Sequence, residues 1–160
     1  MVHQGGCLCG DVRFEAGADP IRTTICHCRF CQRLTGTAFL IEPIFRKEDV
    51  AFSSSGQLKQ HHHRSDESGK RVTVNFCGRC GSALYLSFER FPDVIGVCAG
   101  AFDDPNWFDR GPETCRHIFT RSAQKGVVLP AGVATYPAHA LNGDGLANAA
   151  RVFETPLQIG

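Results

Sequence analysis

Seven of the nine cysteines of the chain lie in three short clusters, which read Cys7-Leu8-Cys9, Cys26-His27-Cys28-Arg29-Phe30-Cys31 and Cys77-Gly78-Arg79-Cys80. Thiolates this close in sequence can converge on one soft divalent metal ion, but they are poorly placed to form disulfides with each other. The outer pairs together supply four thiolates, which can close a tetrahedral metal site. The central three can hold a second ion and leave one position open. We therefore expect one site that holds the fold and another that can do chemistry.

The central cluster, Cys26, Cys28 and Cys31, is the candidate catalytic centre. Three thiolates around Zn²⁺ leave a net charge of about −1, so the ion is a weaker Lewis acid than one held by three histidines. Such a site suits capture of a soft thiolate ligand better than generation of hydroxide. The alternative is that a fourth donor closes the site and makes it structural. The candidate fourth donors are His27, Cys98, Cys115 and His117.

The Cys77/Cys80 pair has the form of a zinc knuckle, in which a C-x-x-C turn is followed by a glycine. The glycine lets the backbone curl around a metal, and N–H groups of the turn can point at the sulfurs. With Cys7 and Cys9, this site would pin an N-terminal strand to a much later hairpin, so loss of the metal should unfold the domain locally or wholly. A redox-active C-x-x-C is the alternative, but no βαβ pattern surrounds this one.

The elements that position these clusters are predicted to be mostly β. Alternation of apolar and polar residues predicts strands at 11–15, 71–76 and 83–88, and short apolar runs predict others at 38–45, 94–99 and 115–120. Helical structure is expected only as a turn at 29–34 and a segment at 146–153. Residues 53–56 and 61–70 are expected to be polar loops. Since no change of composition marks a boundary, we expect a single domain over residues 1–160.

Charge and composition exclude several classes of protein. The net charge of +1 argues against a nucleic-acid partner held by a basic surface. No run approaches the ~18 apolar residues of a membrane helix, and no signal-peptide core precedes the first cysteines, so we expect a cytoplasmic protein without a membrane partner. In that reducing compartment, dense cysteine favours metal ligation over disulfides.

Three blocks of sequence, in order, resemble the glutathione-dependent formaldehyde-activating enzyme family, whose domain is shared with centromere protein V. The blocks run from Gly6 to Phe14, from Cys26 to Gly36 and from Phe76 to Leu84, and the similarity continues through Gly100–Pro105 to His117–Phe119. Three ordered cysteine blocks with flanking glycines are far more specific than a lone C-x-x-C. The resemblance covers roughly the first 120 residues, and a divergent tail follows from about residue 122.

The resemblance implies a mostly β, Mss4-like antiparallel fold with zinc-binding loops and few short helices. It assigns a structural zinc to Cys7, Cys9, Cys77 and Cys80, and a catalytic zinc to Cys26, Cys28 and Cys31. The implied reaction is condensation of formaldehyde with glutathione to S-hydroxymethylglutathione, a carbon–sulfur lyase reaction in reverse. Family members commonly carry a tryptophan after the His-Ile-Phe strand, whereas Ser122–Pro130 of this chain has none.

Because glutathione is anionic, its pocket should contain cations. We expect the residues of the central block, Arg29, Arg33, Thr35 and Gly36, to bind it, with Arg46 and Lys47 as further candidate cations. A different small thiol or aldehyde on the same scaffold is an alternative, as is a non-catalytic zinc module that binds a protein partner or carries a thiol.

Other residues have simpler interpretations. His61–His63 is expected to be a solvated turn, and Cys98 and Cys115 to be core thiols. Trp107 is expected to anchor a loop to the core. His117 could either face the open metal position or be packed.

Overall fold

The computed structural model describes residues 1–54 and 56–160, and most of its regular structure is β. Its strands, in chain order, are β1 His3–Gly6, β2 Val12–Ala16, β3 Arg22–Cys26, β4 Leu40–Arg46, β5 Val50–Ser54, β6 Leu58–Arg64, β7 Arg71–Cys77, β8 Ala83–Phe88, β9 Phe91–Val97, β10 Cys115–Ile118, β11 Val128–Leu129, β12 Ala134–Thr135 and β13 Leu157–Gln158. The helix α1 spans Arg29–Thr35, and 3-10 helices span Lys47–Asp49, Ala99–Ala101 and Thr120–Ser122. Every helix in the described residues lacks the length and apolar character needed to traverse a lipid bilayer.

The chain forms two compact units, the first of which consists of Met1–Ile21 and Pro43–Phe108. Strands β1, β2 and β5 form an antiparallel sheet. The end of β4 pairs with β9 in the order β4-β9-β8-β7-β6, in which neighbouring strands are antiparallel. Alternate residues of β2, including Val12 and Phe14, are buried because successive side chains of a strand point to opposite faces. Phe14 packs edge-on against Phe102, with ring centroids 5.0 Å apart.

The second unit consists of Arg22–Glu42 and Asp109–Gly160. Strand β10 runs parallel to both of its neighbours, β3 and β12. One face of these strands forms a core of Ile25, Cys115 and Val133, against which Phe39 and Ile41 pack. The short strands β11 and β13 form a separate antiparallel pair.

The predicted predominance of β structure is confirmed, as are the strands expected at 11–15, 71–76 and 83–88 and the helical turn at 29–34. The strand expected at 94–99 is β9, which begins earlier and ends at Val97. The parallel pairs around β10 are exceptions to the expected antiparallel arrangement.

The helical segment predicted at 146–153 is wrong. These residues form isolated β-bridges and irregular structure instead. Arg151 exchanges backbone hydrogen bonds of 2.8 Å with Thr135, and the amide of Gly132 donates to the carbonyl of Phe153. The loop predicted at 61–70 is wrong over His61–Arg64, which belong to β6. Strand β6 lies at the edge of its sheet and is mostly exposed, so it shows no apolar alternation. The other predicted loop, at 53–56, begins with the last residues of β5, and its residue 55 lies outside the described residues.

Candidate functional site

The four outer cysteines come together in the first unit. Cys7 and Cys9 follow β1, Cys77 ends β7, and Cys80 lies in the turn after it. Their sulfur atoms all lie within 4.8 Å of one another. The Sγ atoms of Cys7 and Cys9 are 3.5 Å apart, and those of Cys9 and Cys77 are 3.7 Å apart. The described cysteines form no disulfides, so this cluster is a set of four thiol donors.

Polar groups of the two loops surround these sulfurs. The amide of Val12 donates to Cys7 Sγ at 3.3 Å, and the side chain of Ser82, followed by its backbone amide, lowers the pKa of Cys80 to about 5. The two loops are also joined directly, since the amide of Leu8 donates to Ser82 Oγ at 3.1 Å. Gly81 adopts a φ of 79°, which a residue with a side chain rarely adopts, and this lets the chain turn sharply after Cys80. The contacts to Cys7 and Cys80 favour the thiolate forms of these two candidate ligands.

The three central cysteines come together in the second unit, where β3 passes into α1. Cys26 ends β3, Cys28 is the N-cap of α1, and Cys31 lies in its first turn. An N-cap side chain faces the amide three residues later, and here the amide of Cys31 donates to Cys28 Sγ at 3.4 Å. Cysteines at these two positions therefore meet because of the capping geometry. All three sulfurs lie within 4.8 Å of one another.

Protons are shared unevenly within this group of three thiols. Hydrogen bonds from Cys26 and then Cys31 lower the pKa of Cys28 to about 3. The hydrogen bond with Cys28 raises the pKa of Cys26 well above its usual range, and those with Cys26 and then Cys28 do the same for the pKa of Cys31. Several thiolates cannot crowd together in a buried site without a cation to balance their charge. Both cysteine groups therefore have the donor chemistry that a soft divalent ion such as Zn²⁺ requires.

None of the candidate fourth donors joins the central group among the described residues. Cys115 is buried in the core with Ile25 and Val133, and Cys98 is buried in the first unit, which confirms both as core thiols. The buried His27 and His117 contact each other instead, with His27 Nε2 3.0 Å from His117 Nδ1. Burial lowers the pKa of each imidazole to about 4, so the pair is neutral at physiological pH.

The side chain of Gln32 links several segments around the central cysteines, a role that its position in the sequence does not predict. Its side chain is 4% exposed, and Nε2 donates to the carbonyls of His27 at 2.7 Å and Ser122 at 2.8 Å. Its Oε1 accepts from Gln124 Nε2 at 3.0 Å and from the guanidinium of Arg29. One amide therefore joins the end of β3, the helix α1 and the segment after β10.

A family model described as glutathione-dependent formaldehyde-activating enzyme matches residues 2–122, which include all seven clustered cysteines. The chain belongs to this family. A protein of Halomonas elongata with the provisional name glutathione-dependent formaldehyde-activating enzyme is 26% identical over 105 residues, which span 64% of this chain and 67% of the relative. A crystal structure of a Rhodobacter sphaeroides protein, solved as a structural genomics target, shares 24% identity with a TM-score of 0.47, covering 62% of this chain and 87% of that one.

The residues expected to bind glutathione in this member of the formaldehyde-activating family lie on or just after α1. Arg33 and Gly36 are exposed, and Arg29 is exposed while contacting Gln32. Thr35 Oγ1 donates to the carbonyl of Cys31 at 2.8 Å, and the amide of Gly36 donates to the carbonyl of Gln32 at 2.9 Å. The bonds of Thr35 and Gly36 thus end the helix. Glutathione binding by these four residues remains a prediction.

Two further predictions concern residues of the first unit. Trp107 anchors its loop as predicted, stacking on His3 with ring centroids 3.6 Å apart and packing edge-on against Phe102. The three consecutive histidines are part of β6, where His62 Nδ1 lies 2.9 Å from Thr73 Oγ1. They are not members of either cysteine group in the part of the chain that the structure describes.

Proposed function

We propose that this chain is a zinc-dependent enzyme of the carbon–sulfur lyase type, which forms and breaks S-hydroxymethylglutathione from glutathione and formaldehyde. The observation that carries the proposal is the convergence of Cys26, Cys28 and Cys31 without a fourth His, Cys, Asp or Glu donor among the described residues. Three protein ligands with an open fourth position are typical of catalytic zinc sites, whereas structural sites are closed by four. Membership of the family supports the choice of substrates.

In this proposal the two cysteine groups have different roles. Cys7, Cys9, Cys77 and Cys80 hold a structural zinc, and Cys26, Cys28 and Cys31 hold a catalytic one. When bound at the central group, zinc supplies a coordination position that favours the deprotonated form of a small thiol. In the reaction, the thiol sulfur forms a bond to the formaldehyde carbon, the thiol loses its proton, and the carbonyl oxygen gains one.

The protein's own residues give this site its shape and its direction of access. Cys26 and Cys31 are buried whereas Cys28 is partly exposed, so a substrate would approach from the side of Cys28. The hydrogen bond from the amide of Cys31 orients Cys28, and Gln32 fixes the carbonyl of His27 beside it. Thiol addition to formaldehyde already proceeds in water, so the protein's main contribution would be to position a thiolate and exclude competing orientations.

A cytoplasmic location and a single domain over residues 1–160 are further parts of this proposal.

The proposal is tested by Cys28→Ser, with Cys115→Ala as a matched control at a buried cysteine outside both groups. Zinc per chain is measured by elemental analysis, and exchange between glutathione, formaldehyde and their adduct by NMR with ¹³C-formaldehyde. We expect Cys28→Ser to lose one zinc and all catalysed exchange, and Cys115→Ala to keep both. Unchanged zinc and exchange in Cys28→Ser would refute the proposal. Two zinc ions in a wild-type protein that accelerates no exchange would favour the non-catalytic zinc module.

A further inference from the structure

A group of polar residues occupies the face of the second unit's strands opposite its apolar core. Arg22, Thr24 and Cys26 alternate along β3, so their side chains share one face. Arg116 of β10 pairs with Thr24 and therefore lies beside it on that face. Because Ile41 packs against the core on the other face, the next residue of β4, Glu42, points toward the arginines.

These residues carry polar atoms that have no partner. Arg22 Nε, Thr24 Oγ1, Glu42 Oε1 and Arg116 Nε are all buried without a hydrogen bond to a described residue. Thr24 is 2% exposed and Glu42 is 5% exposed. Buried polar groups in folded proteins almost always have partners, and four orphaned atoms on neighbouring strands are uncommon. A polar ligand bound at this place could form hydrogen bonds with these atoms.

The charges on this face are unbalanced. No salt bridge within the described residues joins Glu42 to either arginine. Burial raises the pKa of Glu42 to about 8, so this carboxyl is mostly protonated at neutral pH. Burial first, and then the charge of Arg22, lowers the pKa of Arg116 to about 10, and burial also lowers the pKa of Arg22. Arginine guanidinium groups nevertheless stay charged in proteins, so both of these are cations. Two half-buried cations thus lie near each other without an anion between them.

We propose that Arg22 and Arg116, together with Thr24, form a subsite for a carboxylate group of the thiol substrate. The planar guanidinium group matches a carboxylate in two parallel hydrogen bonds, and the hydroxyl of Thr24 can donate a third. The inference rests on the proposed function, because it assigns to the substrate the anion that this face lacks.

The subsite lies close to the central cysteines. Thr24 is two residues from Cys26 along β3, which is about 7 Å, and the charge of Cys28 contributes to the raised pKa of Glu42. A residue of an extended peptide spans about 3.5 Å, so each carboxylate of a tripeptide such as glutathione lies within one or two residue lengths of its thiol. One molecule can therefore reach both the cysteines and the arginines.

The test uses zinc-loaded protein and isothermal titration with S-methylglutathione, which keeps both carboxylates but cannot form a thiolate. Arg22→Gln and Arg116→Gln should each weaken binding tenfold to a hundredfold, since each removes charge-assisted hydrogen bonds. Arg116→Lys keeps the charge without the planar group and should lose less. Arg151→Gln, an exposed arginine of the same unit, should bind like the wild type.

Two further measurements distinguish loss of carboxylate binding from loss of folding. Thr24→Val conserves volume and charge, and should weaken binding roughly fivefold through the loss of one neutral hydrogen bond. Glutathione diethyl ester, whose carboxylates are masked, should bind the wild type weakly and the variants equally weakly. Circular dichroism and zinc content verify the fold of each variant.

The inference is overturned if the arginine and threonine variants bind S-methylglutathione as the wild type does, if the ester binds as tightly as the acid, or if the wild type binds neither S-methylglutathione nor glutathione. Failure of the proposed function gives a different result. Arginine-dependent binding without accelerated formaldehyde exchange would keep the carboxylate subsite and remove the lyase activity.

Discussion

Replacement of Gln32 by leucine should destabilise the central cysteine cluster without touching a candidate ligand. Leucine matches glutamine in size and in helix propensity, so the change removes hydrogen bonds and little else. It leaves the carbonyls of His27 and Ser122 without the amide that donates to them at 2.7 and 2.8 Å. It also deprives Gln124 of its acceptor.

The magnitude follows from the burial of these groups. A buried acceptor left without its donor costs about 1 to 3 kcal/mol, and His27 is fully buried whereas Ser122 is half-buried. We therefore expect Gln32→Leu to lower the free energy of unfolding by about 2 to 4 kcal/mol. The exposed Gln124 offers a matched control, because Gln124→Leu removes a single bond and should cost about 0.5 to 1.5 kcal/mol.

Urea unfolding of zinc-loaded protein, followed by circular dichroism, measures both variants. Competition with a chromophoric chelator adds a second reading, since removal of a group that supports metal ligands typically weakens metal affinity ten- to a hundredfold. Equal stabilities of Gln32→Leu and wild type, or equal losses in Gln32→Leu and Gln124→Leu, would refute the role assigned to this amide.

Three other changes test separate features. Cys77→Ser should release one zinc and lower the melting temperature by calorimetry, because its cluster joins distant loops; retention of both zinc ions would contradict this. Between about pH 4.5 and 8, folded Glu42 keeps a proton that the unfolded chain releases, so stability falls as pH rises. Glu42→Gln should remove this pH dependence of the free energy of unfolding, which urea unfolding at several pH values measures. The same pH dependence in the variant and the wild type would contradict the prediction. In Gly5→Ala, the new methyl would collide with Phe14 and the Ala101 carbonyl, costing about 1 to 3 kcal/mol of unfolding free energy, whereas Gly143→Ala should be neutral.

The features that the sequence predicted correctly are those encoded locally. The C-x-C, C-x-x-C and C-x-C-x-x-C spacings place the thiols of each block within reach of one another whatever surrounds them, and the sulfurs within each group converge in the structure. The meeting of Cys7 and Cys9 with Cys77 and Cys80 is the exception, since it joins distant segments and was predicted because a closed tetrahedral site needs four donors. Strands such as β8 were predictable because every second residue is apolar and these residues lie on the buried face of the strand. The helical turn predicted at 29–34 is equally local, and the structure shows that it begins after an N-cap at Cys28.

The features that escaped prediction depend on residues far apart in the chain. Gln32 is important because of Ser122 and Gln124, and His27 because of His117, ninety residues later. Arg116 looks like ordinary surface charge until its pairing with Thr24 places it on a half-buried face. Neither hydrophobic periodicity nor motif spacing records such pairings, so polar residues in these roles resemble loop residues in the sequence. The division between structural and catalytic metal, and the glutathione contacts of α1, stay predictions.

Each compact unit is assembled from two separated segments, and this has a consequence for biosynthesis. The central cysteines end at Cys31, but β10, the strand that pairs with β3, begins only at Cys115. At about 5 to 20 residues per second, ribosomes need roughly 4 to 17 seconds to translate the intervening sequence. During that interval the three nascent thiols lack the strand that completes their surroundings. Metal binding by these thiols therefore competes with their oxidation until the chain is complete.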